Sequence, residues 1–236
     1  MAMPRKLRCT VESVADHGGR VYTVTLATET PAPAFRAGQF LHLAIDAYDG
    51  AGFWPESRVF SIASSPKDRG RLSICYSVKG AFTGRMENEL KPGAEVWAKL
   101  PYGDFLIDPS RDTVLLAGGT GVSAFTAFIE GLEPNHPRRV LLAYGARSPE
   151  LLLSRTLAER RATEVPAFSS LLFVDSSAGG VCLQGPISLD AIWPKLEGMS
   201  EPVCYLSGPP KMIEALGAGL RARGVPDDRI RKDAWE

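Results

Sequence analysis

Residues Thr113–Ala124 read T-V-L-L-A-G-G-T-G-V-S-A, an apolar run that breaks into small residues at Gly118. Similar apolar runs recur at Val140–Tyr144, Leu171–Val174 and Val203–Leu206, and a helical stretch follows each. Strands alternating with helices are the signature of a parallel sheet flanked by helices, here doubly wound. The helix after Val140–Tyr144 is predicted from Ser148-Pro149-Glu150, with a capping serine and proline at its first position, carrying Leu151, Leu152 and Leu157 inward. The last helix is expected from about Pro210 to Arg223, with Met212, Ile213, Leu216 and Leu220 on one face and Gly224 as its stop.

Polar and glycine-rich turns fall just after these strands: Gly118–Ser123, Gly145–Arg147, Asp175-Ser176 and Ser207–Pro209. Ligands of open parallel sheets bind outside the carboxyl ends of the strands, so four turns on one edge mark a ligand site. Gly119, Gly121 and Ala124 fit the dinucleotide pattern G-x-G-x-x-A, in which small residues allow a tight turn and close approach to pyrophosphate. Such turns are common in α/β domains. The acidic residue a dehydrogenase carries after its second strand is absent, because Gly145-Ala146-Arg147 stands there. The nucleotide is therefore handled differently.

Before Pro101-Tyr102-Gly103-Asp104 the chain has another character. Short β-rich runs such as Arg20–Leu26, Phe40–Ile45 and Arg71–Tyr76 are punctuated by Gly, Pro and Asp, which predicts a small antiparallel barrel. One helix is expected within it, from about Thr83 to Leu90 with Thr83 as its cap, and its N-terminus is an anion site beside the flexible Gly80. An ordinary capped surface helix is the alternative. Within the barrel, Ser57–Pro66 reads S-R-V-F-S-I-A-S-S-P. Arg58, Phe60 and Ser61 bring a guanidinium that pairs with phosphate, a ring that lies on a fused ring system and a hydroxyl that donates to a ring nitrogen. That set suits a flavin; alone, it equally describes a strand with one solvated arginine and one core phenylalanine.

The chain of 236 residues has room for two domains, expected at 1–107 and 108–236. Lys plus Arg and Asp plus Glu both total 27, so no overall field draws nucleic acid or an anionic membrane. No stretch approaches the roughly 18 apolar residues of a membrane span, and Met1–Arg8 lacks the apolar core of a signal peptide. A cytoplasmic protein is expected. Cys9, Cys75, Cys182 and Cys204 are scattered, as are His17, His42 and His136, so no metal or iron–sulfur ligand set is expected.

In this order the motifs resemble the ferredoxin–NADP reductase family, flavoproteins built from an FAD-binding β-barrel and a nicotinamide-binding α/β domain, and the resemblance spans nearly the whole chain. Members read R-x-Y-S-I-A-S-S at Arg58–Ser65, G-x-x-S/T at Gly80–Thr83, G-G-T-G-x-x-P at Gly118–Ala124, Y-G-A-R at Tyr144–Arg147 and C-G-P-P at Ser207–Pro210. Phe60, Ala124 and Ser207 replace the usual tyrosine, proline and cysteine. The resemblance implies FAD contacts at Arg58, Val59, Phe60, Ser61, Tyr76, Val78, Lys79, Gly80, Phe82 and Thr83. It implies nicotinamide-nucleotide contacts at Gly119, Thr120, Gly121, Val122, Ser123, Gly145, Arg147, Asp175, Ser207, Gly208, Pro209 and Met212. Ser61 and Ser207 take catalytic places, at flavin N5 and beside the nicotinamide ring, and Trp235 that of an aromatic covering the flavin.

The activity this resemblance implies is that of an FAD-dependent NAD(P)H oxidoreductase, which passes hydride to FAD and electrons on to a separate acceptor: a ferredoxin, a flavodoxin or an oxygenase component. Many members carry a fused [2Fe–2S] domain, for which this chain offers no ligands. A flavin reductase releasing reduced flavin is the second reading; the Gly80–Thr83 turn favours held FAD, since diffusible flavin needs no pyrophosphate grip. A non-catalytic flavin-binding subunit is the third. NADPH-preferring members place a serine–arginine pair after the third strand, where this chain has Asp175-Ser176-Ser177, which suits the ribose of NADH. Arg147 is a rival cation for a 2′-phosphate.

Overall fold

In β1 (Arg5–Asp16) Leu7, Cys9 and Val11 are buried at every second position, and Leu72, Ile74 and Tyr76 repeat the alternation in β5 (Arg71–Ser77). A sheet with one face on a core imposes that period. The computed structural model describes residues 3–175 and 182–233. The chain divides into two units, Met1–Leu106 and Ile107–Glu236. The first contains β1, β2 (Val21–Thr28), β3 (Phe40–Ala44), β4 (Ser57–Ser61), β5, α1 (Ala81–Glu89) and β6 (Glu95–Tyr102). Its strands form one antiparallel sheet in the order β4-β3-β6-β1-β2-β5. The end strands meet: Ala63, just past β4, donates its N–H to the Ser73 carbonyl of β5 at 2.8 Å, and the Ser73 N–H reaches the Ser64 hydroxyl at 3.1 Å. The sheet is thereby a near-closed barrel, as antiparallel sheets become when their edges pair.

Helix α1 covers this barrel through Phe82 and Met86, four residues apart on one face and both buried. It begins two residues before its expected start, with Gly80 at the cap and Thr83 in its first turn. The reason is local. The Thr83 hydroxyl accepts the N–H groups of Lys79 and Gly80 at 2.9 and 3.1 Å, so it completes the cap from the third position of the helix while Gly80 is the cap residue.

The second unit holds β7 (Thr113–Gly118), α2 (Ser123–Gly131), β8 (Val140–Ala146), α3 (Arg155–Glu164), β9 (Phe168–Val174), β10 (Leu183–Gln184), α4 (Leu189–Ile192), β11 (Val203–Ser207), α5 (Pro210–Ala222) and β12 (Ile230–Lys232). These strands make one parallel sheet in the order β10-β9-β8-β7-β11-β12. Every residue of β7 is buried, because both faces of the sheet are covered. Val114, Leu116, Leu141 and Leu206 pack with Leu189, Ile192, Ile213 and Leu216 of α4 and α5, while the oppositely directed Leu115, Leu142 and Tyr144 are also buried. After β7 the chain moves to β8 and β9 on one side, then returns to place β11 on the other. The switch point therefore lies between β7 and β11, where such sheets open a crevice.

The helix expected from Ser148 starts later. Pro149–Leu151 form a single 3₁₀ turn and α3 follows from Arg155. The buried Tyr144 hydroxyl donates to the Leu151 carbonyl and accepts the Leu153 N–H, both at 3.1 Å, which ties this segment to β8 and delays the helix. Among the described residues no helix is long and apolar enough to cross a membrane.

Candidate functional site

In the barrel, β4 and α1 meet through a cation and a ring. The Arg58 guanidinium lies 5.0 Å from the centroid of Phe82, the second residue of α1. A guanidinium over an aromatic face is held by the ring quadrupole. Its Nη2 donates to Glu56 Oε1 at 2.8 Å and its Nη1 to the Ser57 carbonyl at 2.9 Å. The first turn of a helix carries N–H groups with no carbonyl behind them, so Arg58 adds a full charge to an end already favourable to anions. Beside it, a Cβ placed on Gly80 would meet nothing within 4 Å. Gly80 is thus not required by packing inside the chain, and its open side leaves room for a phosphate group.

Two residues along β4 from Arg58, Phe60 sits half-buried with its ring edge-on to Tyr76 at 6.3 Å, and Tyr76 stacks on Tyr22 at 5.3 Å. Burial first, then the neighbouring Tyr22, pushes the Tyr76 phenol upward, so that ring stays neutral. The Tyr22 hydroxyl donates to Glu87 at 2.9 Å, and Arg20 binds the same carboxylate. Those hydrogen bonds, Arg20 first, hold the Glu87 carboxyl below its ordinary range. Val78 is pinned by its N–H to the Arg20 carbonyl at 3.0 Å. Ser61 is 9% exposed, and among the described residues no partner engages its hydroxyl. Arg58, Phe60, Ser61, Tyr76, Val78, Gly80, Phe82 and Thr83 thus share one region of the barrel. These residues fit a flavin dinucleotide: a charged edge and helix end for phosphate, a ring for the isoalloxazine and a free hydroxyl.

In the second unit the turns after β7 and β11 are in van der Waals contact. A Cβ on Gly121 would lie 2.6 Å from the Gly208 nitrogen, and one on Gly118 would lie 2.5 Å from the Met212 sulfur. Only a bare backbone permits this approach. Gly119, Thr120 and Gly121 remain half-exposed at the crevice, while Val122 and Ser123 are buried and the Ser123 hydroxyl donates to the Thr120 carbonyl at 2.8 Å. Gly145 pairs with Gly118 across the sheet, at the same edge. Arg147 and Asp175 are both exposed at the ends of β8 and β9, whose backbones are joined there by the Asp175 N–H to the Ala146 carbonyl at 3.3 Å. A cation and an anion therefore stand side by side where the nucleotide ribose is expected.

Ser207 is 2% exposed, and its hydroxyl does not point freely into the crevice as expected. It donates to Asp233 Oδ2 at 2.8 Å, and the Asp233 N–H returns to the Leu206 carbonyl at 2.8 Å. Gly208, Pro209 and Met212, by contrast, are partly or fully open. Asp233 stands two residues before Trp235 and is not among the site residues read from the sequence. Its partner is 26 residues away in the chain, and no local pattern joins them. Trp235, Ala234, Ser176 and Ser177 lie outside the described residues.

Residues 115–217 match the oxidoreductase NAD-binding domain. The chain is 32% identical over 216 residues to the phenol 2-monooxygenase reductase component DmpP of Pseudomonas sp. (strain CF600), covering 88% of this chain and 59% of that protein. It is 30% identical over 195 residues to the toluate 1,2-dioxygenase electron transfer component of Pseudomonas putida, covering 81% and 56%. The chain thus spans little more than half the length of these two relatives. Among solved structures it is similar to Amycolatopsis cytochrome P450 reductase GcoB, with TM-score 0.84 and 27% identity over 99% of this chain and 70% of that one. The ferredoxin reductase in carbazole 1,9a-dioxygenase superposes with TM-score 0.77 at 26% identity, again over 99% and 70%.

Proposed function

With the chain an FAD- and NAD-binding oxidoreductase of the ferredoxin reductase-like type, we propose that it takes hydride from NADH and passes electrons to a separate protein, such as an oxygenase component. The observation that carries the reading is Arg58 over Phe82, which joins the β4 motif to the N-terminus of α1 as one phosphate site. FAD supplies the redox chemistry when bound, converting a two-electron donor into a source for stepwise transfer. The chain supplies binding, orientation and exclusion of water.

In this reading Arg58 and the first turn of α1 hold the pyrophosphate, with Lys79, Gly80 and Thr83 shaping the turn. Phe60, between Val59 and Ser61 on β4, packs on the ring system. It lacks the hydroxyl of the tyrosine more usual there, so flavin is held less tightly than in a tyrosine-bearing relative. Ser61 offers its free hydroxyl to a flavin nitrogen. Gly119–Ser123 and Gly208–Pro209 cradle the nicotinamide nucleotide, Met212 lines it and Asp175 reads the ribose. Ser207 borders the nicotinamide with its hydroxyl tied back to Asp233, so it contributes shape and a fixed backbone more than a mobile donor. Four free cysteines suit a cytoplasmic setting.

Desalting followed by anaerobic reduction tests the reading. The expected result is protein that stays yellow through gel filtration and is bleached by NADH without oxygen. Colour lost on desalting would favour an enzyme that releases reduced flavin, and colour that NADH leaves untouched would favour a non-catalytic flavin subunit.

A further inference from the structure

We propose that Glu56 is a built-in competitor for the phosphate site: its carboxylate holds the Arg58 guanidinium that a flavin phosphate must take, and so sets how tightly FAD is kept. This rests on the assignment of Arg58 to the FAD phosphates made under Proposed function. Glu56 Oε1 is 2.8 Å from Arg58 Nη2, while Nη1 is folded back onto the Ser57 carbonyl at 2.9 Å and the guanidinium carbon lies over the Phe82 ring at 5.0 Å. Carboxylate and phosphate both seek the planar N–H fork, so one displaces the other from the edge they share.

The backbone that carries Glu56 is held by its neighbours. The Trp54 indole N–H donates to the Ser57 hydroxyl at 3.0 Å, and Ser57 pairs with Ala44 across the strands, so the chain is anchored on either side of Glu56. Other acids around α1 are already engaged: Asp46 and Glu89 with Arg85 at 2.6 and 2.9 Å, and Glu87 with Arg20 at 2.5 Å. The Arg58–Glu56 side chains are 51% and 53% exposed, so the pair is weak enough for a more highly charged anion to replace it. Competition of this kind moves affinity by a few-fold and is sensitive to salt.

The full chain, stripped of flavin, is titrated with FAD and with riboflavin, which has no phosphate, by quenching of flavin fluorescence. Wild type, Glu56→Gln, Arg58→Ala and the double variant form a double-mutant cycle. Glu56→Gln should lower the FAD Kd about two- to fivefold at low salt, less at high salt, as fits an exposed ion pair. Riboflavin affinity should not move, and the gain should vanish in the Arg58→Ala background. An unchanged or higher FAD Kd in Glu56→Gln, with Arg58→Ala weakening FAD as expected, would overturn the competitor role and leave the phosphate site standing. A gain that persists without Arg58 would also overturn it. If Arg58→Ala leaves FAD affinity intact, the phosphate assignment fails and the competitor role falls with it.

Discussion

Ser61 and Ser207 both end strands, yet among the described residues no partner engages the first hydroxyl, while the second is bound to a buried carboxylate. Ser207→Ala removes a partner from Asp233 and should cost about 1 to 3 kcal/mol of stability, read from urea melts. Ser207→Cys keeps a donor at that point and should retain most of it. Ser61→Ala breaks no side-chain hydrogen bond among the described residues, so its melt should stay close to wild type while anaerobic flavin reduction in stopped flow slows. Equal reduction rates would return Ser61 to the role of a strand-end residue. Arg58→Ala should fold normally but bind FAD at least tenfold more weakly, because a charge-assisted hydrogen bond is worth about 1.5 to 3 kcal/mol. Absorbance of the folded, dialysed variant checks this. The residue types of these positions were readable as motifs. Their partners were not: Asp233 and Glu56 act through contacts that depend on where β12 and the β3–β4 connection lie, which no motif encodes.

At the scale of elements, α1 is fastened to β2 by charge as well as by Phe82 and Met86. Glu87 takes Arg20 and the Tyr22 hydroxyl. Its folded carboxyl titrates below the ordinary carboxylate range, so as pH falls the unfolded chain gains that proton first. The stabilisation is therefore complete above the ordinary range, near pH 4 to 5, and lost as pH drops through the folded value. Glu87→Gln should lower Tm at neutral pH, where the stabilisation is complete, and meet the wild-type curve below the folded value, so that the acid limb is flatter; identical curves would remove Glu87 from the acid response. Gly121→Ala meets the backbone of Ser207 and Gly208, not a flexible side-chain end. It should cost about 1 to 3 kcal/mol, as overpacking does, and weaken nucleotide binding. The strands of the parallel sheet were legible because burial on both faces leaves an uninterrupted apolar run. The helix starts at Ala81 and Arg155 were not, because a side chain inside the first helix and a tyrosine in the strand before the second decide them. Strands β10 and β12 are too short to show a period.

For the whole molecule, the open matter is the choice of nicotinamide, which falls to the paired ends of β8 and β9. Asp175 suits a ribose hydroxyl and repels a 2′-phosphate, whereas Arg147 beside it would attract one. The expected outcome is higher kcat/KM with NADH than with NADPH, and a shift toward NADPH when Asp175→Ser is combined with Ser176→Arg. A clear NADPH preference in the unaltered chain would give control to Arg147. The barrel was readable from alternation and the α/β unit from apolar runs, and both follow from which sheet faces are covered. Sheet order was not readable, since it depends on pairings between distant strands. That order carries a consequence for handling the protein. At one margin of the second unit's sheet β12 pairs with Cys204–Leu206 of β11, but at the other β10 pairs only with Phe173 and Val174 of β9. Among the described residues the outer edge of β9 from Phe168 to Leu172 is therefore left without a strand neighbour, and this is the stretch whose N–H and C=O groups a strand of another chain would extend at the concentrations used for purification.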